Sequence, residues 1–198
     1  MTISKGSAYG EPGKPLPPHG LVVADDAEAA AALETARREN RPFPPLQLTG
    51  GDLCRTLGGP TPNGDVTFPV DLGEVLIDGR IHLFVAHLVA RTRLWGYAFV
   101  AMNAQWHGAW NLGPRAHPND GRLDTYEARL RPSDRLKVRT RLNAGAHLPH
   151  PGVKERRVEA LQIDLPHPLP VVLDGRPLTT KARTLSIRLR PDALTVVV

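Results

Sequence analysis

The fold of this chain is decided by the stretch DVTFPVDLGEVLIDGRIHLFVAHLVARTRLWGYAFVAMNAQW, residues 65–106. Apolar and polar residues alternate along much of it, a pattern typical of strands that bury one face. Asp78-Gly79 interrupts the pattern and predicts a two-residue hairpin turn, because both residues tolerate a left-handed backbone. The same pattern of short strands continues in residues 120–130, 157–165, 169–178 and 182–198. We therefore predict that residues 65–198 form a mainly antiparallel β-sandwich.

One segment of this region, PSDRLKVRTRLNAGAH at residues 132–147, fits two different structures. Ser133 follows a proline and can cap the first turn of a helix. Alternatively, apolar residues alternate with basic residues, as in a strand with one basic face. That face would comprise Arg135, Lys137, Arg139 and Arg141. It would be either ordinary solvated surface or a patch that meets acidic lipid headgroups.

Residues 20–64, which precede the sandwich, have the pattern of a short α/β segment. The apolar run Leu21–Ala24 predicts a buried strand, and Asp25 or Asp26 can cap the helix that follows it. Residues 44–48 then form a second strand that leads into a glycine loop and a short helix. This order is a single βαβ unit, far smaller than a complete nucleotide-binding domain. The fold class is thus α+β: a truncated α/β segment followed by a β-sandwich.

The length and composition limit the classes of protein that are compatible with the sequence. The 198 residues can bury a real core, and the single cysteine, Cys54, excludes an internal disulfide and is predicted to be a buried, unreactive thiol. Residues 1–19, rich in Gly and Pro, are predicted to be a flexible tail without the apolar core of a signal peptide. No apolar run approaches the roughly 20 residues of a membrane span. We expect a cytoplasmic protein, with peripheral attachment to a membrane as an option.

The net charge of +5 favours anionic partners such as a nucleotide or an acidic membrane surface. A basic nucleic-acid binder is a third option. No recognised nucleic-acid-binding motif accompanies the charge, so we expect no nucleic acid among the partners.

Four segments, taken in order, carry a resemblance to a known family. They are TGGD at 49–52, NAQWHGAWNLGPRAHPNDGRLDTYEARL at 103–130, GAHLPHPGV at 145–153 and VVLDGRPL at 171–178. Together they resemble the bacterial diacylglycerol kinase and sphingosine kinase-like lipid kinase family. The resemblance implies a nucleotide-binding α/β domain, here truncated, followed by a β-sandwich with the active site in the cleft between them. It also implies ATP and Mg²⁺ as cofactors and transfer of the γ-phosphate to a lipid hydroxyl.

The resemblance assigns a nucleotide-binding role to Gly50, Gly51 and Asp52. These residues match the first three positions of the family's G-G-D-G-T loop, in which backbone N–H groups cradle a phosphate. The chain departs from the family at the next two positions, Leu53 and Cys54, and the Leu53 side chain is expected to close the cradle. The alternative interpretation is a tight strand-to-helix turn in which Asp52 caps the short helix.

Asp174, in the turn LDGRP, matches the family's catalytic base, which would accept the proton of the lipid hydroxyl. The family usually continues with a glutamate that supports the metal, whereas this chain has Arg176, a permanent cation that repels Mg²⁺ and can clamp a phosphate. Asp174-Gly175 is also a strong signal for a simple hairpin turn, so the alternative is a purely structural role.

Asp120, Leu123 and Thr125 match a structural cation site of the family. One carboxylate and two backbone carbonyls would hold a hard cation such as Mg²⁺ there. The alternative, which is compatible with a cation, is a hairpin at residues 119–121. The sequence also contains His107, His117, His147 and His150. Their spacing matches no compact metal-binding pattern, so we expect surface or supporting histidines.

Two hypotheses of function follow from the residues and the resemblance. The first is an ATP-dependent lipid kinase in which Asp174 is the general base. The second is a catalytically inactive relative that binds a lipid or a protein partner. A partner chain or a second copy of this chain could supply the missing part of the nucleotide site under the first hypothesis.

Overall fold

The computed structural model describes residues 9–62 and 66–198, which contain three helices and eleven strands. The N-terminal segment consists of β1 (Glu11–Pro12), β2 (Leu21–Val23), α1 (Asp26–Arg38), β3 (Leu46–Leu48) and α2 (Gly51–Thr56). The sandwich consists of β4 (Val66–Ile77), β5 (Arg80–Phe84), β6 (His87–Arg91), β7 (Tyr97–Met102), β8 (Leu123–Arg129), α3 (Pro132–Leu142), β9 (Val153–Val158), β10 (Ala160–Leu173) and β11 (Arg176–Val197).

The N-terminal segment contains the predicted βαβ unit. β2 and β3 pair in parallel, and α1 connects them. The carboxylate of Asp25 caps α1 by accepting the N–H of Glu28 at 2.8 Å. The prediction that the first strand is buried is wrong for most of its length, because Leu21 and Val22 are 44% and 60% exposed while Val23 is buried. β2 lies at the edge of the sheet and pairs with β3 alone, which leaves its outer side uncovered.

The α/β segment and the sandwich are joined through the last strand of the chain. The end of β11 pairs in parallel with β3, with Val196 opposite Leu46. One buried cluster spans this junction and includes Leu33 and Leu53 from the helices together with Val70 from β4. The predicted boundary at residues 64 and 65 lies outside the described residues. The short segment is thus stabilised by the sandwich against which it packs, since it could bury little core alone.

The sandwich has the antiparallel arrangement that the alternating pattern predicts. Its strands follow the order β4-β11-β10-β6-β7-β8-β9, and β5 pairs with β4. The hairpin at Asp78-Gly79 is confirmed, since both residues have positive φ, 48° and 76°, and their neighbours pair directly. Side chains of β4 to β8, β10 and β11 form the core between the layers, among them Val75, Phe84 and Leu185.

The ambiguous segment at residues 132–147 begins with a helix, α3. Val138 and Leu142, four residues apart, are its buried side chains, which is the spacing of one helical face. Arg131 occupies the N-cap position and a proline the first turn, so the prediction that Ser133 caps the helix is wrong. The four basic residues spread around the helix, because successive positions turn by about 100°. They therefore do not form the single basic face of a strand.

Part of the predicted flexible tail is ordered against the sandwich. β1 pairs with β4, and the hydroxyl of Tyr9 donates to the carbonyl of Pro69 at 2.9 Å. The ring of Tyr9 also packs on Phe68, which gives this Gly- and Pro-rich stretch an apolar anchor. Residues 1–8 of the predicted tail lie outside the described residues. Among the described helices, none has the length and apolar character that a membrane crossing requires.

Candidate functional site

A pocket of about 700 Å³ opens where the α/β segment meets the sandwich. Its walls come from the first turns of α1 and α2, the start of β6, the loop at residues 107–110 and the turn at residues 174–175. Its lining includes six titratable side chains from distant parts of the sequence: Asp25, Asp26, Asp52, His87, His107 and Asp174. The structure thus brings together Gly51, Asp52 and Asp174, which the sequence assigned to one site.

The glycine loop forms a tight turn from β3 into α2. Gly51 has φ +96°, and a Cβ atom on it would lie 2.7 Å from the carboxylate of Asp26. A Cβ atom on Gly50 would lie 2.7 Å from the carbonyl oxygen of Ala24. Both glycines are therefore required by neighbouring protein atoms, whether or not a ligand approaches the loop.

Asp26 occupies the backbone donors of this loop. Its carboxylate accepts the N–H of Asp52 at 2.5 Å and the N–H of Leu53 at 3.1 Å. The predicted cap by Asp52 is therefore wrong, because Asp26 from the neighbouring helix has that role. The expectation for Leu53 is also wrong, since its side chain is only 1% exposed and packs in the core. An internal carboxylate, not a leucine side chain, closes the cradle.

The residues at this loop do not fit a nucleoside triphosphate. Two N–H groups that would bind a phosphate already bind the Asp26 carboxylate. Among the described side chains that line the pocket, none is Lys or Arg, while four are the carboxyl groups of Asp25, Asp26, Asp52 and Asp174. A phosphate would have to displace the Asp26 carboxyl group and approach the other acidic side chains of the lining, which like-charge repulsion opposes.

The buried position of Asp26 predicts a specific dependence of stability on pH. Burial, followed by the nearby charge of Asp174, raises the pKa of Asp26 to about 7. The folded chain therefore holds this proton more tightly than the unfolded chain, so Asp26 stabilises the fold most below pH 4 and progressively less as the pH rises through 7. We expect the free energy of unfolding of the natural protein to fall by roughly 2–4 kcal/mol relative to Asp26→Asn between pH 4 and 8. Urea unfolding of both proteins across this range measures the difference, and a constant difference would contradict the prediction.

Asp52 and two histidines form a connected cluster in the pocket. The carboxylate of Asp52 lies 2.9 Å from Nε2 of His87 and accepts the N–H of Gly108 at 2.9 Å. Nδ1 of His107 lies 3.1 Å from the same Nε2 atom of His87. His87 is buried, and Asp52 and His107 are partly buried. The cluster therefore couples one carboxylate to two imidazoles at the floor of the pocket.

The electrostatics of the cluster differ at each residue. Burial raises the pKa of Asp52, but the hydrogen bonds from His87 and Gly108 outweigh it and give a lowered pKa. Burial disfavours the charged form of His87, but Asp52 and Asp174 raise its pKa above the ordinary value. Burial and the neighbouring His87 lower the pKa of His107 to about 4, so this imidazole is neutral at pH 7. Such a cluster can accept a proton from a bound hydroxyl or hold a metal ion.

Sequence reasoning missed His87 and placed His107 among surface or supporting histidines. Asp52, His87 and His107 come from three separate segments of the chain, so no compact sequence spacing could reveal the cluster. The one signal for His87 was a polar residue inside the apolar run LFVAHLVA, where a buried polar group needs a partner. The other three histidines that the sequence analysis named lie outside the pocket lining: His117 packs against Tyr9, His147 is buried and His150 accepts the N–H of Gly152.

Asp174 lies in the pocket wall and holds the backbone of the neighbouring strand. It is 4% exposed, and its carboxylate accepts three backbone N–H groups at 2.7–2.9 Å, those of Val85, Ala86 and His87. Burial raises its pKa, and these bonds together with His87 oppose the rise. The predicted hairpin turn is also present, with φ of 47° at Asp174 and 77° at Gly175. The structural role is therefore visible, and the role of catalytic base stays a prediction.

The predicted cation site at Asp120, Leu123 and Thr125 lies outside this pocket. Asp120 accepts the N–H of Arg122 at 3.0 Å and pairs with the guanidinium of Arg157. Leu123 and Thr125 are buried in β8. Arg157 supplies a permanent positive charge where the resemblance implied Mg²⁺, so these residues do not fit a cation as they are arranged.

The predicted hairpin at residues 119–121 is wrong. The strands β7 and β8, which pair with each other, are joined by a long segment, residues 103–122. The sequence Asn119-Asp120-Gly121 therefore forms a turn inside this connection and does not link two adjacent strands directly. The long connection carries His107 and Trp110 to the pocket.

The antiparallel sandwich, packed on a short α/β segment with a pocket at their junction, belongs to the class of NAD kinase-like β-sandwich proteins. The family model described as the YegS C-terminal NAD kinase beta sandwich-like domain matches residues 71–198, and the chain belongs to this family. The resemblance seen in the sequence is thereby confirmed at the level of the family.

Solved structures with the same fold come from Bacillus anthracis str. Sterne. One, described as "a putative diacylglycerol kinase", has a TM-score of 0.66 at 15% identity over 90% of this chain and 78% of that chain. A second of the same description has a TM-score of 0.64 at 14% identity over the same shares. A third, described as a diacylglycerol kinase, has a TM-score of 0.51 at 17% identity over 78% of this chain and 67% of that chain. A comparison with curated proteins finds no match.

Proposed function

We propose that this chain is a lipid-kinase-related protein that binds a diacylglycerol-like lipid and does not bind ATP by itself. The observation that carries the proposal is Trp110, which lines both the polar pocket and an adjacent apolar groove. A lipid has the same two parts, a polar headgroup and an apolar chain. The arrangement of Asp26 at the glycine loop supports the second half of the proposal, because it leaves the phosphate cradle occupied.

The apolar groove runs along α3 beside the pocket. Its volume is about 320 Å³, and its walls include Trp95, Trp110 and the side chains of Leu94 and Leu136. These two leucines are 70% and 68% exposed and belong to one groove, so they form an exposed apolar patch and are not isolated surface residues. An acyl chain in the groove would cover them and gain the free energy of apolar burial.

The pocket beside the groove suits a neutral hydroxyl headgroup. Its ionised carboxylates and the neutral imidazole of His107 are hydrogen-bond acceptors, and a hydroxyl can donate to them without adding negative charge. Two of the four basic residues of α3, Arg135 and Arg139, lie in the walls of the groove. Each such residue near an acidic membrane surface contributes about 1 kcal/mol of attraction. Peripheral attachment through α3 would therefore bring the groove to its lipid.

Vesicle binding tests the lipid half of the proposal. Phosphatidylcholine vesicles that contain diacylglycerol should sediment the protein, and Leu136→Glu should weaken binding about tenfold, because it removes apolar area from the groove. Val22→Glu is the matched control, since Val22 is also exposed but lies on β2 outside the groove. Vesicles without diacylglycerol separate headgroup recognition from general adhesion. Equal binding by both variants, or no binding by the natural protein, would overturn the proposal.

Titration calorimetry tests the nucleotide half of the proposal. We expect no saturable binding of ATP with Mg²⁺ up to millimolar concentration, because Asp26 occupies the loop. The variant Asp52→Ala is the control. Saturable binding by the natural protein that this control abolishes would show that the loop still takes a phosphate, and would favour a kinase.

The second candidate function is an ATP-dependent lipid kinase with Mg²⁺ and ATP as cofactors. The observation that favours it is the pair of Asp52 and His87, which would place a proton acceptor near a hydroxyl bound in the pocket. A partner chain or a second copy would have to complete the nucleotide site. Transfer of labelled phosphate from ATP to diacylglycerol in vesicles would support this candidate over the first.

A further inference from the structure

We propose that Asp52, His87 and His107 form a binding site for a transition-metal ion of the Zn²⁺ type. The three side chains come from the first turn of α2, the first residue of β6 and the loop after β7. The site is distinct from the predicted cation site at Asp120, which would use oxygen ligands and lies outside the pocket. The proposal goes beyond lipid binding and does not depend on it.

The distances within the cluster are close to those of a coordination shell. One ligand atom from each residue can be chosen so that all three lie within 4.8 Å of one another. Two of the separations are 2.9 Å, from Asp52 to His87, and 3.1 Å, from His87 to His107. In a tetrahedral zinc site with bonds of about 2.0–2.1 Å, neighbouring ligand atoms lie about 3.3 Å apart. Small side-chain rotations would therefore suffice to bind an ion.

Without a metal, the three side chains cannot all form good hydrogen bonds in either neutral tautomer of His87. If Nε2 of His87 carries a proton, that single proton serves both Asp52 and His107. If His107 donates to His87 instead, two lone pairs face each other between His87 and the ionised Asp52. A metal ion accepts a lone pair from all three atoms at once, which removes this conflict. Nδ1 of His87, buried without a hydrogen-bond partner among the described residues, is unpaired in either case.

The ligand types select the class of metal. Two imidazoles and one carboxylate suit Zn²⁺ and neighbouring divalent transition metals, whereas Mg²⁺ prefers oxygen ligands alone. Three protein ligands leave a fourth position open, and here all three residues line the pocket. A small molecule that enters the pocket would therefore reach the open position.

The charges around the cluster also favour a cation. Asp26 and Asp174 line the same pocket, and both act electrostatically on His87. The positive charge of Arg91 lowers the pKa of His107. The guanidinium of Arg55 donates a hydrogen bond to the carbonyl of Gly108. Together with Asp25 and Asp52, the lining carries four carboxylates and no Lys or Arg among the described residues. A divalent cation would offset this local excess of negative charge.

Titration with Co²⁺ tests the proposal on untagged protein that has first been treated with a chelator. We expect one Co²⁺ per chain, with the intense visible absorption of a tetrahedral site, and loss of that absorption when Zn²⁺ is added. His107→Ala and Asp52→Asn should weaken binding about 100-fold. His150→Ala is the matched control, because His150 lies outside the pocket lining and should leave binding unchanged. Circular dichroism confirms that each variant is folded.

The outcomes separate this proposal from the proposed function. A visible band that disappears in His107→Ala and persists in His150→Ala supports the metal site, whatever the vesicle experiment gives. Absence of Co²⁺ binding by the natural protein, or equal binding by His107→Ala, overturns it. Thermal unfolding provides a second readout, since Zn²⁺ that binds the folded state alone should raise the Tm of the natural protein and not that of His107→Ala.

Discussion

Replacement of Asp174 by alanine is expected to lower the free energy of unfolding by about 3–5 kcal/mol. The buried carboxylate accepts the N–H groups of Val85, Ala86 and His87, and its loss leaves three buried donors without a partner. Each unpaired buried donor costs about 1–3 kcal/mol, part of which local relaxation recovers. Urea unfolding followed by circular dichroism measures the change.

Asp78→Ala is a closely matched control for this experiment. Asp78 occupies the same position of an Asp-Gly hairpin turn, with φ of 48° against 47° for Asp174, but it is exposed. The substitution therefore measures only the cost of alanine in a left-handed conformation, about 1 kcal/mol. Equal losses in both variants would show that the three N–H bonds contribute little. A stable Asp174→Ala protein without activity would instead favour a catalytic role.

Replacement of Asp71 by alanine is expected to lower the free energy of unfolding by about 2–4 kcal/mol. Asp71 is fully buried in β4 and accepts the N–H groups of Gly121 at 2.8 Å and Asp192 at 2.9 Å. It thereby ties the turn before β8 and the bend of β11 to the sandwich. The same urea experiment measures the loss.

Asp120→Ala is the control for Asp71, because it removes a carboxylate from the turn that Asp71 contacts. Asp120 pairs with Arg157 near the surface, and such pairs contribute about 0–1 kcal/mol. We therefore expect a much smaller change than for Asp71. If Mg²⁺ or Ca²⁺ stabilises the natural protein but not Asp120→Ala, the result would support the cation site that the resemblance implies.

Asp26 explains how a glycine loop of this kind can persist without a nucleotide. In a phosphate-binding loop, glycines permit close approach of the ligand. Here the approach is made by Asp26 to Gly51 and by the carbonyl of Ala24 to Gly50. The carboxylate satisfies the same N–H donors that a phosphate would satisfy. The motif is thus compatible with a structural role in a family whose name refers to kinases.

The sequence by itself determined the architecture. Alternation of apolar and polar residues predicts strands because side chains point to opposite faces, and Asp-Gly pairs at 78–79 and 174–175 predict the hairpin turns. The βαβ unit followed from a capped alanine-rich helix between two apolar runs. These signals are local, so they need no knowledge of the rest of the chain. The helix α3 stayed ambiguous because its basic and apolar residues satisfy two periods at once.

Only the tertiary structure decided the content of the site. Asp52, His87 and His107 lie up to 55 positions apart (107 − 52), and their contacts depend on how β6, α2 and a long loop meet. The hydrogen bonds from the glycine loop to Asp26 likewise depend on how α1 and α2 pack against each other. Sequence periodicity reports which face of an element is buried, but it contains no information about which distant side chain lies opposite. Packing of the whole chain fixes which distant side chain that is. In this protein it is Asp26, which binds the N–H groups of the glycine loop and so closes the phosphate cradle.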